Sequence, residues 1–239
     1  MIYPRLNTSQ AELPFWVNLS KILGAIVSII GFLVVLAWLL GINEWTTVLP
    51  QLPSMKFTTA VSFVFSGLVI VSVAFLTQSQ NVQFVQILLP TSSFVIVLLM
   101  ATISASLFLG IPTGIENLLT TGNATLAVNS SARPSNATIV NFFLIAIVPF
   151  MTMSTFSRIS SAYYVIGITV SVIGAIAIVG FITHQPLLYY SIVGVSSAMA
   201  IHTSILFVLL GISLVFCRHA LEITRNRIIG KAFQKSEGH

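Results

Sequence analysis

Apolar residues dominate six stretches of this chain, each close to twenty residues long and almost free of charge: Leu19 to Leu40, Phe57 to Leu76, Phe84 to Leu109, Thr138 to Phe156, Ala162 to Ile182, and Met199 to Cys217. A hydrocarbon core is roughly 30 Å thick and a helix rises about 1.5 Å per residue, so about 20 apolar residues cross it. The connections alternate in length. Those after the first, third and fifth stretches cover 41–56, 110–137 and 183–198, whereas 77–83 and 157–161 are short. The pattern predicts an all-α, polytopic membrane protein in which six transmembrane helices form three helical hairpins. An interfacial segment, 1–18, precedes the transmembrane domain, 19–217, and a basic tail, 218–239, follows it.

Composition agrees: 56% of residues are hydrophobic and 6% charged, and the mean hydropathy is +1.01, values foreign to soluble globular domains. The basic excess does not point to nucleic acid, because five of the ten basic residues, Arg218, Arg225, Arg227, Lys231 and Lys235, follow the last apolar stretch, where lipid headgroups or a partner would meet them. With Arg5, Lys21 and Arg158 these residues mark one side of the membrane, against Lys56 and Arg133 on the other. Both termini are therefore expected in the cytoplasm of a cell-membrane protein and the three longer loops outside. The loop 110–137 carries the sequons Asn123-Ala124-Thr125, Asn129-Ser130-Ser131 and Asn136-Ala137-Thr138, acceptors that only an external loop presents to a glycosylating host. Cys217 stands alone, which excludes an intrachain disulfide.

The hairpins also repeat. Met55, Thr59, Phe63 and Gly67 align without gaps on Met199, Thr203, Phe207 and Gly211, and Pro134, Thr138, Phe142 and Ala146 form a weaker middle copy. Residues four apart share a helical face. The repeat therefore predicts a packing stripe at the start of the second helix of each hairpin: Thr at the outer end, Phe in the interior, and Gly or Ala where a neighbouring backbone approaches.

The segments Leu36 to Leu68 and Tyr189 to Leu214, with Leu107 to Leu119 as a middle copy, resemble the repeated hairpins of multi-pass N-terminal membrane modules found on prokaryotic sensor histidine kinases and diguanylate cyclases. The resemblance implies reception of an external or membrane-borne stimulus and its transmission through the last helix. Only about twenty residues follow Cys217, too few for a kinase or cyclase, so the output is expected on a separate protein.

No catalytic constellation emerges. Asp is absent, and there is no phosphate loop and no His or Cys cluster at metal-ligand spacing. The chain is read as non-enzymatic, without cofactor or metal. His202, His184, Glu44 and Glu116 all fall toward the outer side and are the candidates for a ligand site, since ionisable residues in or beside a membrane are functional candidates. Two functions compete: a signalling module that acts on a kinase, regulator or other protein partner, and a non-catalytic accessory subunit of a membrane complex. A transporter or channel ranks third, because Pro90 and Pro149 do not occupy equivalent repeat positions and no buried charge accompanies them.

Overall fold

The computed structural model of the chain describes residues 8–42, 46–47, 52–78, 83–110, 133–153, 159–192 and 196–237. These residues form six α-helices: α1 Thr8–Leu40, α2 Phe57–Gln78, α3 Gln83–Leu109, α4 Asn136–Met153, α5 Ile159–Ile182 and α6 Ile201–Glu237. Apolar runs in lipid must bond their own backbone groups, and helices do so within the segment. Five helices are long and apolar enough to cross a membrane, and the apolar stretch of α4, Asn136–Thr152, is shorter. The chain is thus a helical, multi-pass membrane protein. Two helices extend well past their expected spans. Helix α1 starts at Thr8, ahead of Leu19, and α6 continues as helix far beyond Cys217. Both extensions contain good helix formers, Gln10, Ala11 and Glu12 in α1 and Ala220, Leu221, Glu222 and Lys231 in α6.

Where the outer-layer helices do stop, the backbone turns left-handed. Gly41, Gly110 and His184 have φ of 70°, 65° and 55°. After α1, Ile42 N donates to Ala37 O and Gly41 N to Trp38 O; after α5, Gln185 N donates to Gly180 O and His184 N to Phe181 O. Both ends are Schellman caps, which satisfy carbonyls that a helix C-terminus leaves unbonded.

Helices α2, α4 and α6 lie inside and α1, α3 and α5 outside. Each outer helix packs on the inner helix of its own hairpin and on one other: α1 on α2 and α6, α3 on α4 and α2, α5 on α6 and α4. Large apolar side chains such as Ile22, Phe32, Phe94 and Val172 remain exposed on the outer helices, as a lipid-facing surface requires. At the centre the fully buried rings of Phe63, Phe142 and Phe207 meet pairwise, with centroids 4.9, 4.9 and 5.0 Å apart and interplanar angles of 68°, 52° and 60°. Such tilted pairs contribute about 0.5–1.5 kcal/mol each beyond their burial.

Two hairpins are held by near backbone contact. A β-carbon at Gly67 would overlap the Gly24 carbonyl oxygen and crowd Ser28, and one at Gly211 would overlap the Gly167 carbonyl oxygen and the Ser171 hydroxyl. Ser28 and Ser171 donate across the same contacts, to Val64 O at 3.1 Å and Val208 O at 3.3 Å. In the third hairpin Ser93 donates to Ala146 O at 2.6 Å. Gly67→Ala and Gly211→Ala are each expected to cost about 1–3 kcal/mol by overpacking, and Ala146→Gly much less than either. Unfolding of the detergent-solubilised variants measures the difference.

Candidate functional site

The start of each inner helix lies at the same end of the bundle as the long connections. Thr59, Thr138 and Thr203 are each 2% exposed, one turn from the three phenylalanines. The Ser135 hydroxyl accepts from Thr138 N at 3.2 Å and lies 2.8 Å from Thr138 Oγ1, so it caps α4. The segment before α6 is tied to the start of α4: Ser197 Oγ donates to Arg133 O at 2.6 Å, and Asn136 N donates to Ser196 Oγ at 3.2 Å. Arg133 also reaches back to α3, donating to Ser106 Oγ at 3.2 Å. On the other two hairpins, Trp38 Nε1 donates to Met55 O at 3.0 Å and Tyr190 OH to Ile173 O at 3.1 Å. A comparable pair of bonds orders the connections into α2 and α6, with Met55 N donating to Thr46 O and Met199 N to Tyr189 O, both at 2.9 Å.

Of the four expected ligand residues the structure describes two, and nothing joins them. His202 is the second residue of α6; both its ring nitrogens are buried without a hydrogen-bond partner. His184 is exposed and occupies the left-handed position that Gly41 and Gly110 take after α1 and α3, so its local role is to end α5. Glu44 and Glu116 lie outside the described residues, as do Asn123, Asn129 and Arg158. Asn136, the third sequon, is half-buried at the first position of α4. Arg225, Arg227, Lys231 and Lys235 all fall on the part of α6 beyond its apolar stretch, which ends at Thr224.

The opposite end, where the short turns lie, has its own cluster. Arg218 pairs with Glu222 at 3.0 Å and places its guanidinium 4.7 Å from the centre of the Tyr164 ring. His219 stacks on Trp16 at 5.2 Å, joining α6 to α1. Ser20 and Ser213 exchange bonds between the same helices, each hydroxyl donating to the other's carbonyl at 3.3 and 3.2 Å. The hydroxyls of Thr152 and Tyr163 hydrogen-bond α4 to α5.

One residue carries a signal that reading the apolar runs overlooks. Asn141, beside Phe142, is fully buried, and neither its amide nitrogen nor its oxygen has a partner. An Asn within an apolar run is itself a legible mark of something other than packing.

Lys56 precedes the first turn of α2, and burial pulls its pKa below 10.5. The unfolded chain then binds this proton more tightly than the folded one, so the cost of Lys56 is greatest at low pH and fades as pH rises toward 10.5. Lys56→Met is therefore expected to raise the melting temperature at neutral pH, with a gain that shrinks in alkaline buffer. A gain independent of pH would assign the effect to packing.

No protein-family model, curated protein or solved structure matches the chain.

Proposed function

We propose that this chain is a non-catalytic sensory module of the cell membrane: six transmembrane helices in three repeated hairpins, both termini cytoplasmic, relaying a stimulus from the long-loop end to a separate protein partner. The carrying observation is α6. It runs unbroken from Ile201 to Glu237, about 55 Å at 1.5 Å per residue. His202, with two unsatisfied ring nitrogens, lies in its first turn; Phe207 is in the central aromatic contact; Arg218 and His219 engage α5 and α1 near the short turns. The cyclic packing of outer on inner helices supports the threefold repeat, and with it the shorter α4 as a sixth span beside Phe63 and Phe207. A ligand acts through such a helix only if it binds two arrangements with different affinity.

The topology is tested by single cysteines at Ser130 and Ser236 in a Cys217→Ala background. Position 130 should react with an impermeant maleimide in intact cells and position 236 only after lysis; labelling of position 236 from outside overturns the orientation. The relay is tested by photo-crosslinkers at Lys231 and Lys235 on the tail and at Phe94 and Val172 on the lipid-facing surface. Tail crosslinks to a kinase or regulator, whose output His202→Ala abolishes at normal membrane levels, are expected. Crosslinks confined to Phe94 and Val172 would instead identify an accessory subunit among other membrane chains.

A further inference from the structure

The hairpin α3–α4 is built differently from its two neighbours. Ser28 is flanked by Gly24 and Gly31, and Ser171 by Gly167 and Gly174, so α1 and α5 lie almost against the backbones of α2 and α6. Around Ser93 the same spacing holds Leu89 and Ile96, and α3 makes much less contact with α4 than the other outer helices make with their partners. Pro90 and Pro149 lie inside the two helices, each removing a backbone hydrogen bond, as Pro14 does near the start of α1.

Asn141 adds an energetic reason for movement. At the corresponding position of α2, Ser62 donates to Thr58 O at 2.8 Å, and at that of α6 stands Leu206, which has nothing to satisfy. Asn141 alone of the three buries two polar groups without partners; single unpartnered hydroxyls occur on both α2, at Ser72, and α3, at Ser92. A buried amide in this state loses its hydration and recovers nothing, a cost that native structures rarely retain without a use.

We propose that α3–α4 is the moving hairpin of the bundle: a second arrangement exists in which α4 turns about its axis and brings the Asn141 amide within reach of a hydrogen-bond partner. Hairpins α1–α2 and α5–α6 stay rigid, locked at Gly67 and Gly211. The rotation passes through the Phe63, Phe142 and Phe207 contact, so it reaches both other inner helices, α6 among them. The inference concerns the bundle alone and stands whether or not the chain signals.

Full-length protein in lipid nanodiscs tests it by hydrogen exchange and thermal unfolding. Amides of α4 should exchange measurably faster than those of α2 and α6. Asn141→Leu, the residue of the third copy, should slow that exchange and raise the melting temperature by about 2–4 °C. Asn141→Ser, whose hydroxyl can bond back to the carbonyl one turn earlier as Ser62 does, should act in the same direction and guards against a bulky leucine that fails to fit. Exchange in α4 as slow as in α2, or a melting temperature lowered by both substitutions, overturns the proposal.

Discussion

Helices in lipid gain little by hiding apolar surface from one another, because the acyl chains are as apolar as the side chains. Association then depends on how closely backbones approach and on the bonds made across the contact. In this chain the constraint is met at Gly67 and Gly211, where a facing carbonyl and serine occupy the space that a side chain would need. Ser28 and Ser171 use the proximity to reach carbonyls on α2 and α6. The rest of the architecture hangs on these two contacts: they define two tight hairpins, leave the third looser, and bring α2 and α6 into position for their phenylalanines to meet that of α4.

The interior is rich in hydroxyls, and several bond only within their own helix. Ser62, Ser66, Ser204 and Thr152 donate to carbonyls of their own helices one turn back, at 2.7–3.1 Å. Such back-bonding lets a helix carry polar atoms through an apolar medium with little demand on its neighbours. Asn and His cannot use it in the same way, since both present more than one polar atom at greater reach. Asn141 and His202 therefore each bury two polar atoms without a partner, where Ser72 and Ser92 bury one each.

The two ends of the molecule differ in kind. At the long-loop end, connecting segments are stitched to helix starts by backbone and serine bonds, as Ser196 and Ser197 are to α4. At the short-turn end the contacts are between side chains of the helices themselves: Trp16 on His219, Arg218 on Tyr164, Lys21 over Phe75 at 3.9 Å. Helix α6 takes part in both and continues past the second, which makes it the structural link between the loops and the basic extension.

The succession of apolar runs made an all-helical, multi-pass membrane protein legible, because a backbone in lipid has few ways other than a helix to satisfy itself. The spacing of Thr59 and Phe63, Thr138 and Phe142, and Thr203 and Phe207 placed each pair on one helical face, and all six are buried. A second pattern was equally present: glycine, then serine four residues on, then glycine three further, at Gly24, Ser28 and Gly31 and again at Gly167, Ser171 and Gly174. It is hard to isolate in runs made almost wholly of small and apolar residues. What no spacing reveals is which surfaces meet. That His184 takes the left-handed position where two earlier helices end in glycine is visible only in the folded chain. Asn141 looks like a sequence irregularity until packing closes every side of it without supplying a hydrogen bond. Burial and partnership are properties of neighbours distant in the chain, and only the folded bundle decides them.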